Sequence, residues 1–163
     1  MAQYLTSRIY AAMEATHVRL AAVSYTALNG RAPVVTFART GSDLGAESVE
    51  VLGAPAQDST ITVRASTRLN ESFALRIVIR TDAAHADGIT ALRRLAVLSS
   101  EVEAAFRSST TGKPILLSEV AGLSTDVIES QAATLGVAPV VYPLDGGGYG
   151  AMAVLDIAVN AVI

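Results

Sequence analysis

The residue types that most often do chemistry are few in this 163-residue chain and lie far apart. It contains two histidines, His17 and His85, and no cysteine. A metal centre needs three or four converging ligands, and the sequence shows neither a His-x-x-x-His motif nor a carboxylate cluster with ligand spacing. A serine nucleophile is not indicated either, because no Gly-x-Ser-x-Gly elbow is present. Both histidines are interpreted as solvated helix residues, and no catalytic residue, metal or cofactor is predicted.

One carboxylate stands out, because Asp156 interrupts an otherwise apolar strand pattern. Its simplest interpretation is an outward-facing residue on a half-solvated strand. The alternative is a position on a channel wall or at a subunit interface, paired with Arg64, Arg76 or Arg80. Arg76 and Arg80 fall on one face of their strand, on either side of Val78. They could line a polar surface, form ion pairs between subunits or solubilise the sheet, and the sequence leaves these three roles open.

A glycine-rich string, 145–150, superficially resembles a phosphate-binding loop. Such a loop directs backbone amides at the anion and ends on a helix N-terminus, usually with a lysine close by. Here the string runs into an apolar alternation typical of a strand, and no lysine follows. A hairpin turn is therefore the better interpretation.

The elements that position these residues follow from hydrophobic periodicity. The predicted elements are a helix at 5–24, strands at 33–37 and 48–52, a hairpin of 59–68 and 72–80, a helix at 83–108, and strands at 115–120, 137–142 and 151–163. The segment 126–135 suits a short helix better than a strand.

Several local signals refine this scheme. Asn29-Gly30 is predicted to stop the first helix, and residues 69–71 are predicted to turn the hairpin. Asp82 is predicted to cap the second helix. That helix is predicted to bury one stripe and to place Arg93 and Arg94 on its solvent side. The residues of the predicted stripe are Ile89, Leu92, Leu95, Leu98 or Ser99, Val102 and Phe106.

These elements predict an α+β fold: a mixed or antiparallel sheet with a hairpin-to-helix unit and two long helices packed on it. We expect one domain over 1–163, with a protruding arm at about 40–58. An arm of this length is often functional or contacts a partner. Its candidate contact residues are Asp43, Leu44, Glu47, Val49 and Val51.

Composition favours burial against other subunits. Apolar residues make up 51% of the chain and charged residues 17%, with a mean hydropathy of +0.43; an average soluble domain has about 25% charged residues. No window of about 20 residues is free of charge and Gly/Pro punctuation, so no membrane span is predicted. The first residues lack the basic start and apolar run of a secretory signal. With a net charge of −3 and scattered arginines, specific nucleic-acid binding is disfavoured.

In the order of its elements and its size, the chain resembles the tail terminator, or tail completion, proteins of long-tailed bacteriophages. The resemblance lies in the opening helix at 5–24, the strand entry at 32–37, the strand-to-helix unit at 73–106 and the closing run from Gly147. It implies a homo-hexameric ring in the virion, at the head-proximal end of the tail tube and assembled in the host cytoplasm. The implied partners are the chain itself, the tube protein and the head-closure protein, with DNA passing through the lumen without specific binding.

Two other functions are weighed beside this one. The chain could be a tail tube subunit or another neck protein, although the two helices argue against a tube. It could also be a small oligomeric α/β enzyme or ligand-binding protein with a site between subunits. The scarcity of histidine, cysteine, lysine and paired carboxylates argues against that function.

Overall fold

The computed structural model describes residues 9–38, 47–52, 60–63, 69–107, 128–130 and 134–162. Two helices and seven strands lie in these ranges. In chain order they are α1 (Ile9–Ala21), β1 (Val34–Thr36), β2 (Glu47–Leu52), β3 (Thr60–Val63), β4 (Leu69–His85), α2 (Gly88–Ala105), β5 (Ile128–Ser130), β6 (Thr134–Pro143) and β7 (Tyr149–Val162).

The described strands form one mixed sheet built around the two longest, β4 and β7. These pair antiparallel along almost their whole length. On the far side of β4, β2 and β3 pair with different stretches of it, and β1 extends the sheet parallel to β2. On the far side of β7, β6 and β5 share the outer position. The predicted α+β class is confirmed, with helices of 13 and 18 residues.

The two faces of the sheet differ because side chains alternate along each strand. One face, here called the helix face, carries the core residues Leu75, Ile77 and Ile79 of β4 and Leu155 and Ile157 of β7, all fully buried. Both helices pack on this face, α1 over β1 and β2 and α2 over β4, β7 and β6. The opposite face, here called the polar face, carries the residues that alternate with this core.

The second helix begins later than predicted. Strand β4 continues through His85, and Asp87 rather than Asp82 caps α2, its carboxylate accepting a hydrogen bond from the Thr90 amide at 2.7 Å. That bond is the main reason why the pKa of Asp87 is lowered. Asp82 instead lies buried in the sheet. The strand continues because His85 pairs with Tyr149 of β7 across a β-bulge.

The buried stripe of α2 also differs from the prediction. It consists of Ala91, Leu95, Leu98, Val102 and Ala105. Two residues of the predicted stripe are exposed instead: Ile89 is 63% exposed and Leu92 is 42% exposed.

Three further predictions are wrong in detail. Residues 69–71 are part of β4, where they pair with both β3 and β7, so they do not turn the hairpin. Residues 128–130 and 134–135 belong to strands, not to a short helix. Asn29 and Gly30 form a tight turn closing a Leu28–Arg31 bridge, both at positive φ, whereas α1 ends at Ala21. The predicted strand at 115–120 lies outside the described residues.

Candidate functional surfaces

The polar face carries an ion pair that the sequence had suggested. Arg76 of β4 and Asp156 of β7 are direct cross-strand partners. The Arg76 guanidinium donates two hydrogen bonds to the carboxylate, from Nε to Oδ1 at 2.9 Å and from Nη2 to Oδ2 at 3.2 Å. The side chains are 41% and 28% exposed, so this is a surface pair with bidentate geometry.

Arg80 forms a second ion pair on the same face. Its Nε donates to Glu50 Oε1 at 3.0 Å, and its Nη1 contacts Met152 Sδ at 3.4 Å. The Ser48 hydroxyl also donates to Glu50, at 3.2 Å. Each of these two arginines therefore lies against a carboxylate of the neighbouring strand, and the positive charge is balanced locally.

Tyr142 extends this face towards the bulge in β4. Its hydroxyl donates to Asp82. Burial, and then the hydrogen bond and negative charge of Asp82, raise the pKa of Tyr142 to about 12, against a smaller opposing effect of Arg80. Gly150, opposite Tyr142 in the sheet, leaves room for this pair, because a Cβ there would lie 2.8 Å from both Asp82 and the Tyr142 ring.

The predicted site residues thus fall into three groups. Arg76, Arg80 and Asp156 lie together on the polar face. Glu47, Val49 and Val51, predicted to contact a partner, are buried on the helix face of β2 at 5%, 0% and 1% exposure. Those three side chains are covered within the subunit and are not available to a partner. The remaining predicted residues, Arg64, Asp43 and Leu44, lie outside the described residues.

The sequence did not reveal a buried polar network beneath α2. Arg94, predicted to face solvent, donates to both oxygens of Glu47, from Nε at 2.6 Å and from Nη2 at 2.5 Å. Their side chains are 9% and 4% exposed. Arg94 also donates to the Thr26 carbonyl at 2.6 Å. The hydrogen bond to Glu47 is the main reason why the pKa of Arg94 is raised.

This network continues to a histidine that was predicted to be solvated. The Thr81 hydroxyl lies 3.0 Å from Glu47 Oε1 and 2.6 Å from His85 Nε2. A hydroxyl has one proton to donate, and the carboxylate can only accept. Thr81 therefore donates to Glu47, and His85 donates to Thr81 from a protonated Nε2. His85 is buried, and its role in this geometry is to orient the Thr81 hydroxyl towards the buried Glu47 carboxylate.

A second branch reaches the loop after α1. The amide and hydroxyl of Thr26 both donate to Glu101 Oε1, at 3.0 and 2.5 Å. Burial, and then the charge of Glu101, raise the pKa of the neighbouring Tyr25. The signal that could have found this network is weak, because its members are far apart in sequence and join only when β2, β4 and α2 pack together.

The glycine-rich string forms a turn, as predicted. The Leu144 amide donates to the Gly148 carbonyl at 3.0 Å and the Gly147 amide to the Leu144 carbonyl at 2.9 Å. Gly147 and Gly148 have φ of 90° and 82°. A Cβ on Gly148 would lie 2.8 Å from the backbone of Ala84, so the turn packs directly on the bulge of β4. Strand β7 follows at Tyr149, so the string does not end on a helix N-terminus.

Among the described residues, no group of three or more His, Cys, Asp or Glu is arranged to hold a metal ion. Over the same ranges, neither helix combines the length and apolar character that crossing a bilayer requires. No protein-family model matches this sequence, and no curated protein matches it at a significant level.

The remaining feature of the surface is its exposed apolar side chains. Ten large apolar residues of the described part of the chain are exposed: Tyr10, Val18, Val34, Phe37, Ile89, Leu92, Val97, Val140, Val141 and Tyr149. Single exposed apolar residues are ordinary on soluble proteins, whereas apolar patches mark interaction sites.

Proposed function

We propose that this protein is a structural virion component of a bacteriophage tail. It forms a ring on the head-proximal end of the tail tube, ends tube polymerisation and joins the tail to the head-closure complex. Its role is to bind other protein subunits, without catalysis. The proposal combines the resemblance in element order with the chemistry of the described surfaces.

The observation that carries the proposal is the exposed apolar surface of a chain poor in charge. Ten exposed large apolar residues in a chain with 17% charged residues favour coverage by protein. Interface cores are depleted of charge and rich in aromatic and aliphatic side chains. A subunit that contacts neighbours on more than one side has this composition for a simple physical reason: much of its surface never meets water.

The polar face supports the passage of DNA through such a ring. Arg76 and Arg80 each lie against a carboxylate, Asp156 and Glu50 respectively. An arginine already paired with a carboxylate gains less from a phosphate than an unpaired one, since it must give up or share its partner. If this face lines the lumen, it presents neutralised charge past which DNA can slide.

Tube capping tests the proposal directly. The protein is added to the tail tube protein of its own phage while that protein polymerises, and tube lengths are measured by electron microscopy. We expect shorter tubes with a closed ring at one end. Tubes of unchanged length without rings would contradict the proposal, and open polymers of the protein alone would favour a tube subunit. A large, specific thermal stabilisation by one metabolite would favour a ligand-binding protein.

A further inference from the structure

Three positions in the sequence, at 29–30, 87–88 and 145–146, place an asparagine or aspartate directly before a glycine. In such a pair the glycine amide nitrogen, which no side chain hinders, can attack the side-chain carbonyl carbon of the preceding residue and close a five-membered succinimide ring. An asparagine loses ammonia in this step. An aspartate carboxylate is ionised at neutral pH and is a poor target for a nucleophile. The pair Asn29-Gly30 is therefore the reactive one of the three.

The surroundings of this pair leave it open to water. Asn29 and Gly30 are both exposed, and a Cβ built on Gly30 would find no atom within 4 Å. Over the described residues, neither the Asn29 side-chain amide nor the Gly30 backbone amide takes part in a hydrogen bond. The other asparagines of the chain, Asn70 and Asn160, lie in β4 and β7 and precede residues that carry side chains.

The fold nevertheless holds Asn29 away from ring closure. Leu28 and Arg31 exchange two backbone hydrogen bonds, of 2.9 and 3.0 Å, and the φ values of 50° at Asn29 and 76° at Gly30 fit a type I′ turn. Such a turn sets ψ of its first central residue to about 30°, which turns the Gly30 nitrogen roughly 150° away from the Asn29 Cβ about the Cα–C bond. Closure of the succinimide ring needs these two atoms to be nearly eclipsed.

We infer that Asn29 is a site of spontaneous deamidation and that the Leu28–Arg31 turn controls the reaction, which proceeds from the opened turn. There the Gly30 nitrogen bonds to Cγ of Asn29, the Cγ–Nδ2 bond breaks, and ammonia leaves with the amide proton. Water then opens the ring. Attack of water at Cγ gives aspartate, and attack at the backbone carbonyl carbon gives isoaspartate, in which the main chain runs through Cβ. This site is independent of the ring proposed above.

The isoaspartate product cannot re-form the same turn. Its main chain is one carbon atom longer between Leu28 and Arg31, and the length of a two-residue turn fixes the register of the residues it joins. The loop after α1 keeps its attachment to α2 through Thr26, whose carbonyl accepts a hydrogen bond from Arg94 and whose amide donates one to Glu101. The modification therefore releases the turn and leaves the rest of this loop in place.

The test follows deamidation in the full wild-type chain, folded in buffer and unfolded in guanidinium chloride, at the same pH and temperature. Incubation in water labelled with heavy oxygen marks each new carboxylate. Tandem mass spectrometry of the digested chain then gives the rate at each asparagine, with Asn70 and Asn160 as internal controls.

In the unfolded chain, Asn29 should react faster than either control. In the folded chain, Asn29 should react at least about 10-fold more slowly than in the unfolded chain, because opening the turn breaks two hydrogen bonds; this factor corresponds to about 1.4 kcal/mol. Hydrogen exchange of the Arg31 amide should be faster in the isoaspartate product than in the unmodified chain.

Equal rates at Asn29 in the folded and unfolded chains would overturn the inference, because the turn would then not restrain the reaction. An unfolded chain in which Asn29 reacts no faster than Asn70 and Asn160 would also overturn it, and so would an isoaspartate product whose Arg31 amide stays as protected as before. None of these results bears on the proposed ring, which tube capping tests separately.

Discussion

At the residue scale, the Glu47–Arg94 pair is the most consequential electrostatic interaction in the described structure. Both side chains are more than nine-tenths buried, and Glu47 accepts hydrogen bonds from both Arg94 and Thr81. A fold tolerates two charges removed from water only while they remain paired, since either one alone would keep its desolvation cost without compensation. This network also connects α2 to the loop after α1, because Arg94 donates a hydrogen bond to the Thr26 carbonyl.

Arg94→Met should therefore lower the free energy of unfolding by about 3–5 kcal/mol, because it leaves Glu47 buried without its cation. Arg76→Met is the matched control. It removes the same group from a half-exposed pair and should cost at most about 1 kcal/mol. Denaturant unfolding monitored by circular dichroism measures both values. Equal losses for the two variants would contradict the assigned burial of the Arg94 pair.

Tyr142 makes stability sensitive to alkaline pH. Its pKa is raised from 10.0 to about 12 in the folded chain, so between these values the unfolded chain has released the proton and the folded chain retains it. The free energy of unfolding must then fall as pH rises through this window. In Tyr142→Phe, the free energy of unfolding should fall less steeply with pH in this window. In Asp82→Asn, the ionisation of Tyr142, measured by tyrosinate absorbance, should move to lower pH. A fall that is unchanged in Tyr142→Phe would show that Tyr142 does not cause it.

At the element scale, the alternation of side chains predicted which strand faces are buried, and long-range pairing decided where strands end. Leu75, Ile77, Leu155 and Ile157 alternate with other residues along their strands, and all four lie on the buried helix face. The sequence analysis predicted Asp82 as the cap of the second helix, whereas Asp87 caps it in the structure. What selects Asp87 is the pairing of β4 with β7 as far as His85, a contact across 64 residues that local patterns do not contain.

The same cause explains the other misassigned elements. Apolar residues at 127, 128, 132 and 135 have helical spacing, but residues 128–130 and 134–135 pair with β7 instead. The Arg76–Asp156 ion pair on the polar face could be suggested from sequence, because both residues interrupt an apolar strand pattern. The Glu47–Arg94 network could not be predicted from sequence, because each of its members alone has the pattern of a solvated charge.

The turn between β6 and β7 gives a prediction at the scale of an element. Of its three successive glycines, Gly146 has open space around it, Gly147 has a positive φ, and Gly148 has both a positive φ and a close backbone neighbour. Gly146→Ala should change stability by less than about 0.5 kcal/mol, because the space around it is open. Gly147→Ala adds the strain of a positive φ, about 1 kcal/mol. Gly148→Ala adds a 2.8 Å approach to the Ala84 backbone as well and should cost about 2–4 kcal/mol.

Thermal unfolding of the three alanine variants gives this order directly. If Gly148→Ala were as mild as Gly147→Ala, the turn would not pack on the bulge of β4 as the structure places it. The bulge itself carries strain, because Ala84 has a φ of 51°, and the turn is the element that lies against it.

At the scale of the whole molecule, ten exposed large apolar residues are found in the described part of a chain with only 17% charged residues. Such a surface favours coverage by neighbouring subunits, as in the ring that we propose. The polar face then has a separate role, because its arginines are balanced by carboxylates within the same sheet. The exposed apolar surface and the balanced polar face both support the ring that we propose around a DNA passage.

The mass of the wild-type assembly, measured by native mass spectrometry over a wide dilution series, tests the central claim most directly. We predict one closed species whose mass is a fixed multiple of the 16.8 kDa chain and does not grow with concentration. Monomers throughout the series, or open polymers that lengthen with concentration, would contradict it.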